Sequence, residues 1–280
     1  MLDTARRLGL HLHIQLNSLY TIQAQAAKQW IEDGYLGKPF HARSYGFRRR
    51  GRPFVDGFGE KEFNSKYWAA GGALFDMGVY HISLLLYLLG NPEVNRVSGA
   101  VYQEMDMYED RRNEAGFDVE ELGCGFVKFK GGLTMDILEA WAIHGRAFPP
   151  SMIAGDKGGV SIWSEDFSAP KGDSLVEFFG EMSGYPITSS PELWMENFRS
   201  RSAHPELAKR DASQAWWAAV IRGEEDTIKT AEIALNTMLI SEGIFQSSAI
   251  GREVSAEEII SNSKSLAIRR QETGFGVLEY

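Results

Sequence analysis

Hydrophobic residues follow a helical spacing in some segments of the chain and strict alternation in others. Apolar positions three and four residues apart predict helices. The predicted helices are Met1–Leu8, Thr21–Asp33, Gly72–Leu89, Glu206–Ile221 and Thr230–Ser248. Gly9, Gly34 and Gly90 follow the first three, at the position where helices commonly end.

Alternation of apolar and polar residues predicts a series of strands. The longer ones are Leu10–Leu16, Phe40–Phe47, Val94–Tyr102, Leu122–Phe129 and Leu133–Ile143, and shorter ones are expected near Met152–Ala154, Val160–Trp163 and Leu175–Phe179. The turn Lys130–Gly132 between two of them is typical of a β-hairpin. Along Leu133–Ile143 one face is apolar and the other partly polar, as in an antiparallel sheet covered on one side.

The order of these elements predicts an α+β fold. A run of strands lies between two groups of helices, which favours a large, mostly antiparallel sheet with helices on one face. The segment Arg48–Tyr67 is rich in glycine, charged and aromatic residues and is predicted to be a long loop. A two-turn helix is hardly stable alone. We therefore expect residues 1–18 to be the end of a preceding unit and residues 19–280 to form the main domain.

Composition and charge narrow the class of protein. The 280 residues are 44% hydrophobic and include 38 acidic and 29 basic side chains, for a net charge of −9. This balance disfavours a nucleic-acid partner, because phosphate binding relies on excess positive charge. With Cys124 as the one cysteine, an internal disulfide and a cysteine-based zinc site are excluded. The longest apolar run, near Ile82–Leu89, is short for a membrane span, and the N-terminus lacks a signal-peptide pattern. We predict a cytoplasmic protein without a membrane partner.

Several motifs of known chemistry are missing from the sequence. No glycine cluster has the full G-x-G-x-x-G dinucleotide pattern, and neither a Walker loop nor H-E-x-x-H occurs. The six histidines are scattered, so we predict no metal site. His11 and His13 share one predicted strand face, where a solvated face is favoured over a chelating pair.

The segment Trp68–His81 carries the main candidate chemistry. Glycines 71 and 72, at the start of a predicted helix, would let a ligand approach the backbone, and the free N–H groups of a helix start favour an oxygen atom. On a helix, Asp76 and Tyr80 fall within about 40° of each other, whereas His81 lies about 140° from Asp76. Spacing alone leaves two interpretations open: a ligand site, or a helix cap beside a buried tyrosine with a hydrogen-bond partner.

Four segments in the same order resemble the glucose–fructose oxidoreductase/inositol dehydrogenase (Gfo/Idh/MocA) family. Gly71–Tyr80 resembles the family signature G-G-G-x-L-x-D-x-G-x-H/Y. Ala27–Pro39 resembles its helix ending in G-x-(I/L)-G-x, Leu88–Val94 resembles L-L-G-x-P-x-x-V, and Glu242–Val254 resembles its last helix. The resemblance covers nearly the whole chain.

The resemblance implies two domains: a Rossmann domain that binds NAD or NADP, and an α+β domain that forms the substrate pocket and commonly the oligomer interface. The sequence is similar to the second domain and to the last helix and strand of the first. Residues 1–18 are then a remnant of the dinucleotide-binding domain, and residues 19–280 are the substrate and oligomerisation domain. The family's glycine-rich loop and lysine motif would lie upstream of Met1. We therefore expect NAD or NADP not to be bound by this chain alone, and a separate cofactor-binding half is a candidate partner.

The resemblance also assigns roles to single residues. Asp76 resembles the family's site aspartate, and Tyr80 stands where many members have histidine and some sugar-converting members have tyrosine. These two are the catalytic candidates. Asn17 and Ser18 fall where many members have Asn-Arg, so Asn17 joins Gly71–Gly72 as a candidate cofactor contact.

The implied reaction is oxidation of a sugar or polyol hydroxyl. Hydride passes to the nicotinamide, and a general base takes the hydroxyl proton. Tyrosine is a weak base near neutral pH unless a cation lies beside it. In the family that cation is the lysine missing here, so we expect Tyr80 to act mainly as a hydrogen-bonding group, with Asp76 orienting a hydroxyl.

The candidate substrate contacts are Arg48, Lys66, Trp68 and His81. The loop arginines Arg48, Arg49, Arg50 and Arg52 suit either an anionic group of a ligand or surface ion pairs. Lys66 and Trp68 suit either sugar contacts or plain packing.

We predict an NAD(P)-dependent oxidoreductase that acts on a sugar, polyol or derivative, represented here mainly by its substrate domain. The alternative is a non-catalytic carbohydrate-binding or assembly subunit that dimerises through its sheet, whose partly polar face along Leu133–Ile143 suits a homo-oligomer contact. A third interpretation is a cofactor-free lyase or isomerase built on Asp76, Tyr80 and Arg48.

Overall fold

The computed structural model describes residues 1–145, 150–162, 176–193, 212–264, 270–273 and 276–279. The helices in these ranges are α1 (Leu2–Leu8), α2 (Ile22–Glu32), α3 (Lys66–Ala69), α4 (Ala73–Asp76), α5 (Gly78–Leu88), α6 (Glu109–Ala115), α7 (Ala212–Arg222), α8 (Thr230–Ile250) and α9 (Ala256–Asn262). Two short 3₁₀ turns span Asn17–Tyr20 and Lys61–Asn64. The first part of the predicted helix Glu206–Ile221 lies outside the described residues, as do Trp163 and Leu175 at the ends of two predicted strands.

The described strands are β1 (Pro39–Phe47), β2 (Val94–Tyr102), β3 (Leu122–Phe129), β4 (Thr134–Ala140), β5 (Ser151–Gly155), β6 (Gly159–Ile162), β7 (Val176–Met182), β8 (Tyr185–Ser189), β9 (Val254–Ser255), β10 (Arg270–Thr273) and β11 (Gly276–Glu279). Nine of them form one sheet in the order β8-β7-β6-β5-β1-β4-β3-β2-β9, and β10 pairs with β11 separately. Within the nine-stranded sheet β1 and β4 run parallel, and the other neighbouring pairs are antiparallel. The predicted α+β fold with a large, mostly antiparallel sheet is confirmed.

Helices cover one face of this sheet. α5 packs on β1, α8 packs on β2, and the two helices pack against each other. Ile82 of α5 and Ile244 of α8 are fully buried in the main core, together with Val127 and Met135 of the sheet. Burying one side chain of this kind stabilises the fold by about 1.5–3 kcal/mol. The opposite face carries alternate residues that are half-buried or exposed, so the predicted one-sided covering is confirmed.

Two glycines of β3 let the helices approach the sheet closely. A Cβ on Gly123 would overlap the side chain of Leu74 in α4, and a Cβ on Gly125 would lie 2.6 Å from Cγ1 of Ile244 in α8. The cluster around Cys124 therefore serves packing.

Two serines of α8 cover the outer side of β2, where β9 pairs with Arg96 and Val97. The Ser247 hydroxyl accepts from the N–H of Gly99 at 3.0 Å, and the Ser248 hydroxyl accepts from the N–H of Val101 at 3.2 Å. Unpaired edge N–H groups invite pairing with other chains, so this Ser-Ser pair protects the edge.

The predicted strand Leu10–Leu16 is wrong. The segment has no regular secondary structure, and Leu10 is 62% exposed whereas Leu16 is 2% exposed. No described strand runs beside it. Alternation of apolar and polar residues does not form a strand where no neighbouring strand supplies hydrogen bonds. His13, expected on a solvated face, is half-buried and stacks on Trp217 with ring centroids 4.9 Å apart.

The predicted single helix Gly72–Leu89 is also wrong, because it is broken at Met77. The segment 66–76 and α5 are bent by 52° relative to each other. The segment Arg48–Tyr67, predicted as a loop, contains a 3₁₀ turn at Lys61–Asn64 and the start of α3. The last strand of the predicted hairpin ends at Ala140 rather than Ile143.

No single helix in the described part of the chain is long and apolar enough to cross a membrane. The bent pair 66–76 and 78–88 would be so together, by length and composition alone.

Ala70, which joins α3 to the glycine pair, has a φ of 66°. A side chain at such an angle costs about 1 kcal/mol or more, and Ala70 is exposed, so its methyl group contributes little packing. We expect Ala70→Gly to raise the free energy of unfolding by up to about 1 kcal/mol in a urea titration. Ala69→Gly, in the helical α3, is the matched control and should lower it by about the same amount. Equal losses in both variants would contradict strain at Ala70.

Candidate functional site

The parallel pairing of β1 with β4 places the carboxyl ends of both strands at one edge of the sheet. Beyond β1, the N–H of Arg48 donates to the carbonyl of Ala140 at 2.7 Å, and the N–H of Gly51 donates to the carbonyl of Trp141 at 2.8 Å. The arginine loop is therefore held against the end of β4. Of the side chains predicted to act together, Arg48 and, through Trp141, Asp76 are connected to this edge.

Trp141 connects this edge to the helix that carries Asp76. Its ring is fully buried, and its indole Nε1–H donates to Asp76 Oδ2 at 2.8 Å. Asp76 is the last residue of α4 and is half-buried. One carboxylate oxygen of the predicted site aspartate is thus fixed by a tryptophan.

Tyr80 lies beyond the break at Met77 and is 48% exposed. Its backbone carbonyl accepts from the Ser18 hydroxyl at 3.4 Å, so the turn Asn17–Tyr20 lies beside it. The side chain of Asn17 is exposed and accepts from the Ser213 hydroxyl of α7. The structure therefore brings the Asn17 turn next to Tyr80. Because the helix is broken at Met77, Asp76 and Tyr80 do not share one helix face as expected.

His81 lies behind this surface rather than on it. It is 4% exposed, and its Nδ1 is 2.8 Å from Oε2 of Glu139, which is fully buried. The Ser44 hydroxyl donates to the other oxygen of Glu139 at 3.1 Å. A Cβ on Gly46 would overlap the His81 ring, and one on Gly78 would lie 3.2 Å from Cγ of Glu139. Two glycines thus make room for a buried histidine–carboxylate pair beneath the start of α5.

The space beside Gly71 and Gly72 is filled by other parts of the protein. A Cβ on Gly71 would overlap the Phe75 ring, and one on Gly72 would overlap the backbone carbonyl of Glu120. The Glu120 carboxylate accepts from the N–H of Gly72 at 2.7 Å and from the N–H of Leu74 at 2.9 Å. Both glycines are buried, so close packing explains them without a ligand.

Burial dominates the electrostatics of Glu120. It raises the pKa of this carboxyl to about 7, against the lowering effect of the two backbone N–H groups and of Lys66. The side chain is 4% exposed. Glu120 therefore titrates near neutral pH in the folded protein.

The remaining predicted contacts lie around the same edge with different surroundings. Lys66, Tyr67 and Trp68 are exposed, Trp68 by 69%, and the two aromatic rings meet edge to face with centroids 4.8 Å apart. The Lys66 backbone N–H donates to Asp118 Oδ1 at 2.7 Å. Arg48 is half-buried, donates to the Gly51 carbonyl at 3.2 Å, and lies over the Phe58 ring.

Arg52 differs from its neighbours, because it is fully buried. It contacts Asp56 at 2.8 Å and Glu121 at 2.8 Å, and donates to the carbonyls of Met105 and Asp106. Burial alone would raise the pKa of Asp56, but the hydrogen bonds from Arg52 lower it below its ordinary value. Arg52 therefore connects the loop after β1 to the segment between β2 and β3. Arg50 makes a surface ion pair with Asp56 at 3.2 Å, which fits the ion-pair interpretation.

The sequence interpretation missed Trp141, Glu139 and Glu120 as parts of this site. One signal was available, since Glu139 falls on the apolar face of Leu133–Ile143, where a carboxylate needs a buried partner. Trp141 falls on the same apolar face of that segment. The spacing of residues in the sequence gives no indication that Glu120 belongs to the site. Among the described residues, no group of three or more His, Cys, Asp or Glu side chains could hold a metal ion.

The described structure is an α+β domain with a one-sided, mostly antiparallel sheet, and residues 24–161 match the GFO/IDH/MocA C-terminal domain. Three of the four resembling segments lie within this match, so the resemblance to the Gfo/Idh/MocA family is confirmed.

The chain is also similar to curated proteins of known name. It is 26% identical over 170 residues to D-glucoside 3-dehydrogenase of Escherichia coli K12, a match that covers 58% of this chain and 47% of the relative. The chain therefore spans about half the length of that protein.

Solved structures share the fold at low identity. An aldose–aldose oxidoreductase from Caulobacter crescentus, solved with glycerol, has a TM-score of 0.64 and 20% identity, over 91% of this chain and 66% of that chain. A levoglucosan dehydrogenase, solved with NADH and L-sorbose, has a TM-score of 0.67 and 18% identity, over 91% of this chain and 68% of that chain.

The raised pKa of Glu120 predicts a pH dependence of stability. The folded state keeps this proton up to about pH 7, whereas the unfolded chain loses it near pH 4.5. The contribution of Glu120 to the free energy of unfolding is therefore greatest below about pH 4.5. It falls by up to about 3 kcal/mol as the pH rises to about 7.

Glu120→Gln removes the titrating group. In urea titrations between pH 5 and pH 8, the free energy of unfolding of this variant should therefore rise relative to that of the wild type. Glu114→Gln, at an exposed position of α6, is the matched control and should follow the wild type. A constant difference between wild type and Glu120→Gln across this range would contradict the assignment.

Proposed function

We propose that the chain forms the carbohydrate-binding part of a Gfo/Idh/MocA oxidoreductase that oxidises a hydroxyl group of a sugar, polyol or derivative. The observation that carries the proposal is the half-buried Asp76 carboxylate, which is fixed by Trp141 through one oxygen. Exposed Tyr80 follows on the other side of the helix break. The name of the E. coli relative supports a glycoside as substrate, and the sugar in the levoglucosan dehydrogenase structure agrees with it.

Each candidate residue has a distinct part in the proposal. Asp76 accepts from a substrate hydroxyl and orients it, and the Tyr80 hydroxyl exchanges a hydrogen bond with the same or the next hydroxyl. Trp68 offers an exposed ring for an apolar sugar face, with Lys66 and Arg48 as polar contacts at its border. His81 is buried, so we assign it a supporting role beneath Tyr80 instead of a direct contact.

A dinucleotide is implied by the family, and the three candidate contacts Gly71, Gly72 and Asn17 do not make a cradle for it. The N–H of Gly72 is taken by Glu120, the space beside Gly71 is filled by Phe75, and the Asn17 side chain is engaged by Ser213. We therefore assign Gly71 and Gly72 to packing and propose no cofactor contact for these three residues. NAD or NADP, which would accept the hydride, is then held by residues other than these three.

The Tyr80 hydroxyl is expected to contribute to carbohydrate affinity without contributing to stability. We expect the wild type to bind methyl β-D-glucoside in an NMR titration and Tyr80→Phe to bind it several-fold to about tenfold more weakly, as one hydrogen bond is lost. The melting temperature should be unchanged, because the side chain is half exposed. Tyr185→Phe, at a 74% exposed position of β8, is the matched control.

Equal affinity in wild type and Tyr80→Phe would contradict the role of Tyr80, and absence of binding to the wild type would contradict the carbohydrate site. A parallel titration with NADH and NADPH, followed by nicotinamide fluorescence, should show no binding. Micromolar binding would contradict the expectation that this chain alone does not bind the dinucleotide.

One observation favours a second candidate function, a non-catalytic carbohydrate-binding or assembly subunit: the N–H of Gly72, a candidate cofactor contact, donates to Glu120 instead. Oxidation of the glucoside by the full-length gene product with NAD or NADP separates the two functions. Carbohydrate binding without any oxidation would support the subunit.

We further propose that the chain self-associates through the open face of its sheet. This face carries apolar Phe126 and Leu138 beside a charged cluster in which Asp136 accepts from Arg43 at 2.9 Å and from the Tyr45 hydroxyl at 3.0 Å. Apolar and oppositely charged groups on one surface suit a self-complementary, two-fold contact. Cys124 lies on the same face and is half-buried.

Phe126→Asp should therefore lower the association state measured by analytical ultracentrifugation. It should also speed the reaction of Cys124 with a thiol reagent, because this chain has one cysteine and assembly would cover it. Ile221→Asp, at an exposed position of α7, is the control and should leave both unchanged. A wild type that sediments as a monomer at all concentrations would contradict the proposed assembly.

A further inference from the structure

Trp141 is the buried residue at which the segments of the candidate site meet. It follows β4 directly and is fully buried. Its backbone N–H donates to the carbonyl of Glu121 at 2.7 Å, and its carbonyl accepts from the N–H of Gly51 at 2.8 Å. The main chain is thus held from both sides, which fixes the point from which the indole ring extends.

The ring itself has little freedom. A Cβ on Gly72 would lie 3.1 Å from Cζ3 of Trp141, so this glycine packs directly on the indole. On another side the ring meets Phe117 nearly edge to face, with centroids 6.5 Å apart. Contacts of this kind leave one orientation of the indole and therefore one direction for its N–H group.

That N–H group donates to Oδ2 of Asp76. Within the described part of the chain, Asp76 Oδ1 has no donor within hydrogen-bond distance, although a carboxylate can accept several hydrogen bonds. Asp76 is half-buried, and its neighbour across the break, Tyr80, is exposed. One oxygen is consequently fixed on the protein side while the other is left to a ligand.

We propose that Trp141 is a positioning residue of the carbohydrate site, which holds Oδ2 of Asp76 so that Oδ1 accepts a hydrogen bond from a substrate hydroxyl. This inference rests on the proposed function. An indole N–H suits the task because it donates one hydrogen bond and accepts none. It fixes the carboxylate without competing for the ligand's donor.

The substitutions Trp141→Phe and Asp76→Asn, alone and together, test the inference through the affinity for methyl β-D-glucoside. We expect Trp141→Phe to weaken binding about tenfold or more, which is the range for a hydrogen bond to a charged group. If Trp141 acts through Asp76, the double variant should bind no more weakly than Asp76→Asn alone. Trp216→Phe is the matched control, because it removes an indole N–H that donates to the Asp226 carbonyl at 3.0 Å.

The indole N–H resonance of Trp141, assigned by triple-resonance NMR of the isotope-labelled wild type, gives a readout that packing alone would not move. We expect it to shift in Asp76→Asn and to shift in the wild type as the glucoside is added. Asp76→Asn retains the packing of the ring, so this readout is preserved even if Trp141→Phe does not fold.

The outcomes separate the two proposals. A wild type that binds the glucoside while Trp141→Phe binds equally well overturns the positioning role alone, as do additive losses in the double variant. An indole resonance that is unaffected by Asp76→Asn also overturns it. A wild type that binds no glucoside overturns the proposed function and the positioning role together.

Discussion

The candidate site depends on the parallel pairing of β1 with β4. In this pair Phe47 lies opposite Ala140, so the residues that follow both strands emerge at the same edge of the sheet. An antiparallel pair would place Arg48 and Trp141 at opposite edges. Since the loop after β1 bonds to the end of β4, and Trp141 bonds to Asp76, this pairing also determines where α4 lies.

Three buried carboxylates surround that edge, and each is satisfied differently. Glu121 is paired with Arg52, Glu139 with His81 and Ser44, and Glu120 with backbone N–H groups at the start of α4. Burying a charge is unfavourable unless hydrogen bonds or an opposite charge compensate. Of the three, Glu120 is compensated least by an opposite charge, so burial has the largest effect on its pKa. The fixed geometry of these groups gives the exposed residues in front of them a rigid support.

Long periodic segments were predictable from the sequence, and the details of the site were not. β1, β2, β3 and α8 follow clear apolar patterns, which tertiary packing preserved. The break at Met77 was missed because a helical projection assumes a straight axis. Leu10–Leu16 alternates without a neighbouring strand to pair with. These failures share one cause, since each depends on a contact distant in sequence that spacing does not encode.

The chemistry of the site is divided between two layers. The buried layer of Trp141, Glu139 and His81 is shielded from water, whereas Tyr80 and Trp68 in front of it are largely exposed. Hydrogen bonds that compete with water contribute little net affinity, and hydride transfer benefits from exclusion of water. The exposed layer therefore needs a cover before it can support oxidation of a bound hydroxyl. If the proposed function is right, carbohydrate binding to these residues alone should be weak, and its strength should depend on how firmly the buried layer holds Asp76.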